Sequence, residues 1–448
     1  MDVYVALSVD QGESFLTPNI KVNSVFSSPY IEQDSRHTRG NDYQGIASAN
    51  GKAFPIWTDY RSDEDEDIYC AIVDVFRSGS IDSNETWSQL VVMTGDVTVK
   101  DTVMLTVEVD TSTTNTTIYA LSDSDDQASG VDTTKCELIV EGQLHALGIN
   151  DSSIVTFIST EVDTFPAGWY GIRLANGPDS LDWCEIEDAY IGVRSEASTS
   201  DILHCSFKVN ELSGIGSTPG SDLFISNNLF DNNGQFGIGL LRPDCAEITG
   251  NDLYGNGDYG IYITAGDGDS SDIVISDNLI QGSAGDLHDY GIFFKLVDKG
   301  NIGPTYLAID SLNYISECLQ AGIRIEASSY LESLDSTSAI DSNVVEDNYN
   351  GIEISGGENL VLSWNDIIEN TKKGFISSHP IPILGDHTEA IGGYNSIYDN
   401  GVYDVYVSNN TPYKSLIAQD NWWGNSAGPD TTKLYGNITF YPWLTSEP

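Results

Sequence analysis

A short phrase, Gly-apolar-x-apolar-x, recurs along more than 200 residues of the chain, and it constrains the fold more than any other feature. The phrase begins at nine glycines, Gly171, Gly192, Gly214, Gly237, Gly260, Gly291, Gly322, Gly351 and Gly374. Successive glycines are 21, 22, 23, 23, 31, 31, 29 and 23 residues apart. These periods are too short for a repeat that contains two strands and a crossover helix, so each repeat is predicted to be one coil of short strands.

A second phrase, apolar-x-x-Asn-x-apolar, runs in step with the first. Its asparagines are Asn228, Asn251, Asn278, Asn313, Asn343 and Asn365. Two phrases in a constant order predict at least two strands per coil, with Ile261 and Ile263 pointing inward and Tyr262 pointing outward. The asparagines are expected to bond to one another along the stack of coils. Cys184 and Cys205 fall in the same column, either as stacked inward thiols or as a disulfide.

With these repeats the chain resembles the right-handed parallel β-helix repeat family, an architecture of pectate-lyase-like enzymes and of many large secreted bacterial surface proteins. The resemblance covers about residues 85–448. Its most specific segments are WSQLVVMTGDVTVKDTVMLTVEV from Trp87, CELIVEGQLHALG from Cys136, GWYGIRL from Gly168 and NWWGNSAGPD from Asn421. It implies an all-β fold, with a right-handed parallel β-helix, or solenoid, over 85–448 and a short N-terminal β segment over 1–80.

The N-terminal segment contains LSVDQGESF, which matches the Asp-box pattern at Ser8, Asp10, Gly12, Ser14 and Phe15. The segment therefore resembles part of a sialidase-type propeller. An Asp box tightens a turn and carries no catalysis, and a propeller closes only with several blades, so no sialidase activity is implied. A partial blade joined to a solenoid predicts that the chain is part of a larger multi-domain surface protein, secreted or exposed at the cell surface.

Charge excludes two classes of partner. The chain has 19 Lys and Arg against 68 Asp and Glu, a formal net charge of -49. Nucleic acid and anionic membrane surfaces would repel such a chain. No run of eighteen apolar residues is present, so membrane insertion through a helix is not expected.

Calcium (Ca²⁺) is the expected ion, because Asp-rich loops offer hard oxygen ligands and the six cysteines form no CxxC pair. One candidate loop contains Asp267, Asp269 and Ser271, and an earlier one contains Asp123, Asp125 and Asp126. A third acidic run spans residues 63–67. The alternative for each loop is a solvated acidic surface.

One outward strip combines scarce cations with aromatic and acidic residues. Aligning the long coils predicts a column of Tyr262, Phe293, Arg324 and Glu353 beside a column of Thr264, Lys295, Glu326 and Ser355. Tyr262 and Phe293 are candidate sugar-stacking residues. Lys295 and Arg324 could act as base and charge neutraliser beside a uronate, and Glu326 and Glu353 as the carboxyl pair of a glycosidase. The alternative is a cross-strand ion pair between Lys295 and Glu326.

The catalytic motifs of the family are absent from the sequence, namely a vWiDH-like Asp-His, RxPxxR, NTDG with GHG, and DPHE. Whether the chain is an enzyme therefore stays open. The favoured hypothesis is an extracellular or cell-surface protein that contacts a polysaccharide or other glycan through an outward strand face and a loop-walled groove. The first alternative is a carbohydrate-active enzyme, a glycoside hydrolase or polysaccharide lyase, and the second is a structural spacer or adhesin.

Overall fold

The computed structural model describes most of the chain. The described residues are 3–10, 12–23, 44–49, 52–59, 67–109, 115–121, 125, 127–160, 168–266, 271–282, 288–297, 305–327, 334, 337–356, 360–378, 382–408 and 415–448. Over most of this length each coil contributes one strand to each of three parallel sheets. The sheets are called here the glycine sheet, the short sheet and the third sheet.

The glycine sheet contains the repeat phrase. Its strands are Glu137–Val140, Trp169–Leu174, Ala189–Ser195, Ser213–Ser217, Phe236–Leu241, Tyr259–Ala265, Tyr290–Leu296, Ala321–Ala327, Asn350–Ser355, Lys373–Ser377, Tyr403–Val407 and Leu434–Tyr435. The strand Leu90–Val99 pairs with this sheet, with the short sheet and with Phe76–Ile81.

The other two sheets close each coil. The strands of the short sheet are Thr116–Ala120, Val155–Ser159, Cys184–Glu187, Ser206–Lys208, Leu229–Asp231, Asp252–Tyr254, Leu279–Gln281, Tyr314–Ser316, Val344–Glu346, Asp366–Ile368 and Ser396–Tyr398. Those of the third sheet are Glu85–Trp87, Met104–Glu108, Gln143–Leu147, Asp179–Asp182, Thr199–Leu203, Asp222–Ser226, Cys245–Thr249, Asp272–Ser276, Tyr306–Asp310, Ala339–Asp341 and Val361–Ser363. A parallel pair, Leu416–Ile417 with Ile438–Thr439, and a 3₁₀ helix, Thr431–Lys433, lie at the C-terminal end.

Alternation of side chains along each strand produces one continuous core. Ile261 and Ile263 are at most 1 % exposed, while Tyr262 points outward between them, so the predicted register is confirmed. Aromatic rings stack inside the column, as where Phe207 and Phe230 lie 5.0 Å apart with planes inclined by 5°. Neighbouring coils repeat every ~4.8 Å, so equivalent inward side chains contact one another from coil to coil. The inner faces of the parallel sheets are thereby buried. The predicted all-β fold, a right-handed parallel β-helix, is confirmed. Within the described part of the chain, no helix is long and apolar enough to span a bilayer.

The repeat glycines are required by close packing. A Cβ atom on Gly214 would lie 2.7 Å from Cδ1 of Phe230, and one on Gly237 would lie 2.8 Å from the carbonyl oxygen of Gly260. Neither position has a positive φ, so at these two coils close packing, rather than backbone conformation, selects glycine.

The predicted asparagine ladder is confirmed. Nδ2 of Asn228 donates to Oδ1 of Asn251 at 3.0 Å, and the same bond repeats in the following coils. The complete ladder is Asn228, Asn251, Asn278, Asn313, Asn343, Asn365, Asn395 and Asn421. Cys184 and Cys205 occupy the preceding rungs as free buried thiols, and the backbone N–H of Cys184 lies 3.4 Å from Sγ of Cys205.

A second ladder, which was not predicted, lies at the turn between the short sheet and the glycine sheet. Its members are Asn210, Asn233 and Asn256, then Asn348, Asn370 and Asn400. The two intervening coils place His288 and Cys318 at this turn. Burial lowers the pKa of His288, whose Nδ1 contacts the carbonyl oxygen of Asn256.

The N-terminal segment packs on the outside of the first coils. It contains the pair Tyr4–Val5 with Ile20–Lys21 and an antiparallel sheet of Gln44–Ala49, Lys52–Asp59 and Asp67–Cys70. Leu16 and Ile20 share a small core with Leu90 and Val92 of the solenoid.

The turn of the Asp-box sequence is held by side-chain bonds. Oδ1 of Asp10 accepts bonds from Oγ of Ser8 at 2.7 Å and from the backbone N–H of Ser14 at 2.9 Å. The bonds from Ser14 also lower the pKa of Asp10. These contacts make a tight turn, and the propeller resemblance of residues 1–80 stays a prediction.

Candidate functional site

The predicted strip lies on the outer face of the glycine sheet with the expected register. Tyr262 pairs with Phe293, Phe293 with Arg324, and Arg324 with Glu353 in successive coils. In the neighbouring column Lys295 pairs with Glu326. The long loops expected to wall a groove at these coils, residues 267–270, 298–304 and 328–333, lie outside the described residues.

The charged half of the strip is an ion-pair network centred on Arg324. Its Nη1 lies 2.9 Å from Oε1 of Glu353, and its Nη2 lies 3.1 Å from Oε2 of Glu326. Nζ of Lys295 lies 3.5 Å from the other oxygen of Glu326. The four side chains are between 22 and 35 % exposed. Each candidate catalytic group therefore already has a partner of opposite charge, and the pair of Lys295 with Glu326 is the one that the ion-pair alternative predicts.

The aromatic half of the strip is a packed group of rings. Its members are Phe236, Tyr259, Tyr262, Tyr290 and Phe293. Tyr259 and Tyr290 stack at 5.6 Å with planes inclined by 12°, while Phe293 meets both edge-on. The guanidinium carbon of Arg324 lies 5.6 Å from the centre of the Phe293 ring. Phe293 is consequently only 7 % exposed, so it is less accessible than an outward position suggests, and Tyr262 is the more open of the two predicted stacking residues.

A surface depression of about 280 Å³ adjoins this aromatic group, and it was not predicted. It lies where the outward column has no side chains, because Arg194 pairs with Gly216, Gly216 with Gly239, and Gly239 with Tyr262. The residues that line it include Ile191, Leu212, Ser213, Ser217, Thr218, Phe236 and Leu241. A sequence signal was available, since the phrases GIGST and GIGLL carry a second glycine at the outward position.

The N-terminal end of the depression is polar. Nη1 of Arg194 donates to the hydroxyl of Tyr170 at 2.9 Å, and Nη2 of Arg194 lies 3.0 Å from Glu196. Arg173 bridges Glu196 and the fully buried Glu137. Burial raises the pKa of Glu137 despite this contact. The depression thus offers an aromatic wall, an apolar floor, serine and threonine hydroxyls and one partly satisfied guanidinium, a combination that suits a ligand with apolar faces and polar edges.

The predicted calcium ligands are mostly outside the described residues. Asp267, Asp269, Asp123 and Asp126 all lie there, and so does most of the run 63–67. Ser271 is 5 % exposed, and Oδ1 of Asp125 accepts bonds from the backbone N–H groups of Asp96 and Gln127. Among the described residues no group of three or more His, Cys, Asp or Glu side chains is arranged to hold a metal ion. Calcium binding stays a prediction.

The fold and the outer face of the glycine sheet define the class of protein, a right-handed parallel β-helix with a depression on that sheet. A family model described as "Right handed beta helix region" matches residues 145–302. A second, described as "Protein of unknown function (DUF1565)", matches residues 305–430. Neither model extends to residues 1–144, so the Asp-box resemblance gains no support from them.

Among solved structures the chain is similar to the periplasmic alginate epimerase AlgG. A double mutant of AlgG is 12 % identical, with 80 % of this chain and 78 % of that chain covered and a TM-score of 0.45. AlgG itself is 13 % identical, with 85 % of each chain covered and a TM-score of 0.37. At these values the likeness carries no argument about the chemistry of this chain. No curated protein matches the chain.

Proposed function

We propose that the chain is an extracellular or cell-surface protein that binds a neutral polysaccharide along the outer face of its glycine sheet. The observation that carries the proposal is the depression over Gly216 and Gly239, with Phe236 and Tyr262 on one side and Arg194 on the other. A pyranose ring has apolar C–H faces and hydroxyl edges. The faces pack on aromatic rings, and the edges bond to serine, threonine, tyrosine and arginine groups.

The shape of the face favours a linear chain over an isolated small molecule. The depression spans two coils, or about 10 Å at ~4.8 Å per coil. The aromatic column then continues through Tyr259 and Tyr290 in the following coils. A glycan lying parallel to the solenoid axis would therefore pass from the depression onto the stacked rings. Its repeated sugar units would contact the repeated surface of successive coils.

Charge favours a neutral glycan over a polyuronate. The net charge of -49 repels polyanions. The cations of the face do not reverse this repulsion, because Arg324, Lys295 and Arg194 each pair with a carboxylate. A uronate would have to displace one of these carboxylates or recruit calcium as a bridge.

The contacts of Glu326 and Glu353 favour binding over hydrolysis. A glycosidase needs one carboxyl at the glycosidic oxygen and another that acts as nucleophile or activates water. Both carboxylates here bind the same guanidinium, that of Arg324, so neither reaches a substrate without breaking an ion pair. Catalysis by these residues, with Lys295 and Arg324 as base and charge neutraliser, remains the alternative function.

A panel of soluble polysaccharides distinguishes these functions. We expect retention in affinity gels that contain a neutral glucan, xylan or mannan, weaker retention by polygalacturonate or alginate, and no new reducing ends or unsaturated products. New reducing ends would establish a hydrolase, and absorbance of an unsaturated product would establish a lyase. Retention by no polysaccharide, with or without calcium, would contradict the proposal and favour a spacer.

A further inference from the structure

A second surface lies at the corner where the third sheet meets the short sheet, beside the first asparagine ladder. The residue before each asparagine of this ladder occupies the corner, and each of these residues has a positive φ. In the C-terminal half the corner residues include Ser342, Trp364 and Tyr394, with φ values of 58°, 58° and 62°. Because the backbone conformation repeats, their side chains point outward in the same direction at intervals of ~4.8 Å. The corner is therefore a ladder of exposed positions.

Two neighbouring rungs of this corner carry exposed aromatic rings. The rings of Trp364 and Tyr394 stack at 4.7 Å with planes inclined by 8°. Trp364 is nevertheless 51 % exposed and Tyr394 is 41 % exposed. Since Tyr394 covers one face of the indole, the other face, which is directed toward the preceding coil, accounts for much of the exposed area of Trp364.

Stacking alone does not mark a site, since the same corner shows it elsewhere. Trp183 and His204 stack at 4.7 Å with planes inclined by 11°. Trp183 is half-buried, and the side chain of His204 is 37 % exposed, so both are less open than Trp364. His204 also bonds to Asp182 at 2.9 Å. What distinguishes Trp364 is the combination of a bare ring face and an empty neighbouring rung.

The empty rung is at Ser342, whose short side chain leaves a slot between Trp364 and the coil before. Leu312, 69 % exposed, lies at the far side of this slot. Two coils separate Trp364 from Leu312, or about 9.6 Å. A ring placed midway would lie about 4.8 Å from each, close to the spacing already seen between Trp364 and Tyr394. The slot therefore has the width of one ring.

Polar groups lie at the base of the slot. Oγ of Ser342 donates to Oδ2 of Asp341 at 2.9 Å, and Oγ of Ser363 bonds to the other oxygen of the same carboxylate. Burial raises the pKa of the nearby Asp310, and the charges of neighbouring acids, including Asp341, add to the rise. Hydroxyl groups of a ligand can bond to these acceptors, whereas phosphates and uronates are repelled by them.

We propose that this slot, bounded by Trp364, Ser342 and Leu312, binds one pyranose ring of a neutral glycan. The C–H faces of the sugar pack on the indole and on the leucine, and its hydroxyls bond to Asp341 and to the serines. The slot is separate from the glycine sheet, because a coil has three corners and this corner is the one that the glycine sheet does not border. Two separated sites on one solenoid would hold a long polysaccharide more tightly than either site alone.

The test measures binding to this slot separately from binding to the depression on the glycine sheet. Gly216→Tyr places a ring in the depression, because Gly216 lines it. The fold should accept the substitution, since a Cβ at Gly216 would lie no closer than 3.5 Å to its neighbours. In that background, cellohexaose, xylohexaose, mannohexaose and laminarihexaose are titrated by calorimetry. We expect at least one hexasaccharide to bind, and we expect Trp364→Ala and Ser342→Tyr each to weaken that binding at least about fivefold. Tyr4→Ala, which removes a 50 % exposed tyrosine far from the slot, should change nothing.

Ser342→Tyr is the decisive variant, because it keeps Trp364 and adds an aromatic ring in a backbone conformation that Tyr394 already adopts. Unchanged or tighter binding by Ser342→Tyr would show non-specific adsorption to an aromatic patch and overturn the proposal. Absence of hexasaccharide binding in the Gly216→Tyr background would overturn it as well. The proposal that glycans bind in the depression on the glycine sheet fails under a different result. That result is a Gly216→Tyr protein with the same glycan affinity as the unsubstituted protein, together with a Trp364→Ala protein that no longer binds the glycan. Unfolding midpoints of all variants confirm that they are folded.

Discussion

Gly239 pairs with Tyr262 in the next coil of the glycine sheet, so the outward column changes within one coil from no side chain to an aromatic ring. Gly216 extends the gap by one further coil. Phe236, in the neighbouring outward column, stands beside both glycines as a second aromatic wall. The resulting step in the surface, flat on one side and aromatic on the other, is what makes this part of a regular solenoid suited to a ligand.

Removal of the aromatic wall should weaken glycan binding with little effect on folding. We expect Phe236→Ala to lower the affinity for a neutral polysaccharide about fivefold, the equivalent of ~1 kcal/mol of stacking. Affinity electrophoresis measures the change. Phe224→Ala is the matched control, because Phe224 is also a half-buried outward phenylalanine but lies on the third sheet. Equal losses for the two variants would contradict a role of Phe236 in binding.

Interruption of the asparagine ladder should destabilise the solenoid strongly. Asn251 is fully buried, accepts a bond from Asn228 and donates to Asn278 and to the carbonyl oxygen of Ile225. Asn251→Ala removes these bonds and also the acceptor of the buried backbone N–H of Asn228, so we expect a loss of ~2–4 kcal/mol in the free energy of unfolding. Urea denaturation provides the measurement. Asn176→Ala, at an exposed asparagine, should cost far less, and similar costs would show that the ladder adds no stability.

Acidification from pH 8 towards pH 5 should stabilise the protein. Burial raises the pKa of Asp96, Glu137 and Asp179 above the ordinary values of 3.8 and 4.5. A carboxyl with a raised pKa holds its proton in the folded state where the unfolded chain has lost it, so stability increases as the pH falls through the folded pKa. The opposite shift at Asp132 reduces stability only below its ordinary pKa.

Unfolding midpoints between pH 8 and pH 5 measure this effect. Glu137→Gln should flatten the pH dependence, whereas substitution of the exposed Asp151 by Asn should not. A midpoint that falls steadily on acidification over this range would contradict the assignment of these buried acids.

Calcium should raise the melting temperature through at least one Asp-rich loop. Clustered carboxylates repel one another until a cation neutralises them, and binding to the folded state alone stabilises it by about 2.7 kcal/mol at a concentration of 100 Kd. Melting in chelator and in millimolar calcium gives the comparison. The double substitution Asp267→Asn, Asp269→Asn and the substitution Asp125→Asn identify the loop. Identical melting temperatures in chelator and in calcium would contradict stabilisation of the protein by calcium binding.

The regular part of the fold could be predicted because it repeats. Glycine spacing determined the coil, and the period of two along each strand determined that Ile263 points inward and Arg324 outward. The second ladder was missed although Asn210, Asn233 and Asn256 each lie four residues before a repeat glycine. His288 and Cys318 interrupt that column, so its period is less visible than that of the first ladder.

The site was harder to predict than the fold, because it depends on side-chain partners. Among 68 acidic residues, the sequence does not tell which carboxylates Arg324 binds. That choice depends on side-chain conformations in two neighbouring coils, and it links Glu326 and Glu353 through one guanidinium. The depression follows from missing side chains at Gly216 and Gly239, a signal that is easily hidden among glycines that serve the repeat.

The most direct test of the central claim compares the glycan affinity of the unsubstituted protein with that of Gly216→Tyr. Thr199→Tyr serves as the control, since it adds the same ring to an exposed position of the third sheet. Calorimetric titration with the neutral polysaccharide that is best retained in affinity gels gives the dissociation constants. We predict a loss of at least about tenfold for Gly216→Tyr, the equivalent of ~1.4 kcal/mol, and no change for Thr199→Tyr. Equal affinity of all three proteins would show that the depression on the glycine sheet is not the binding site.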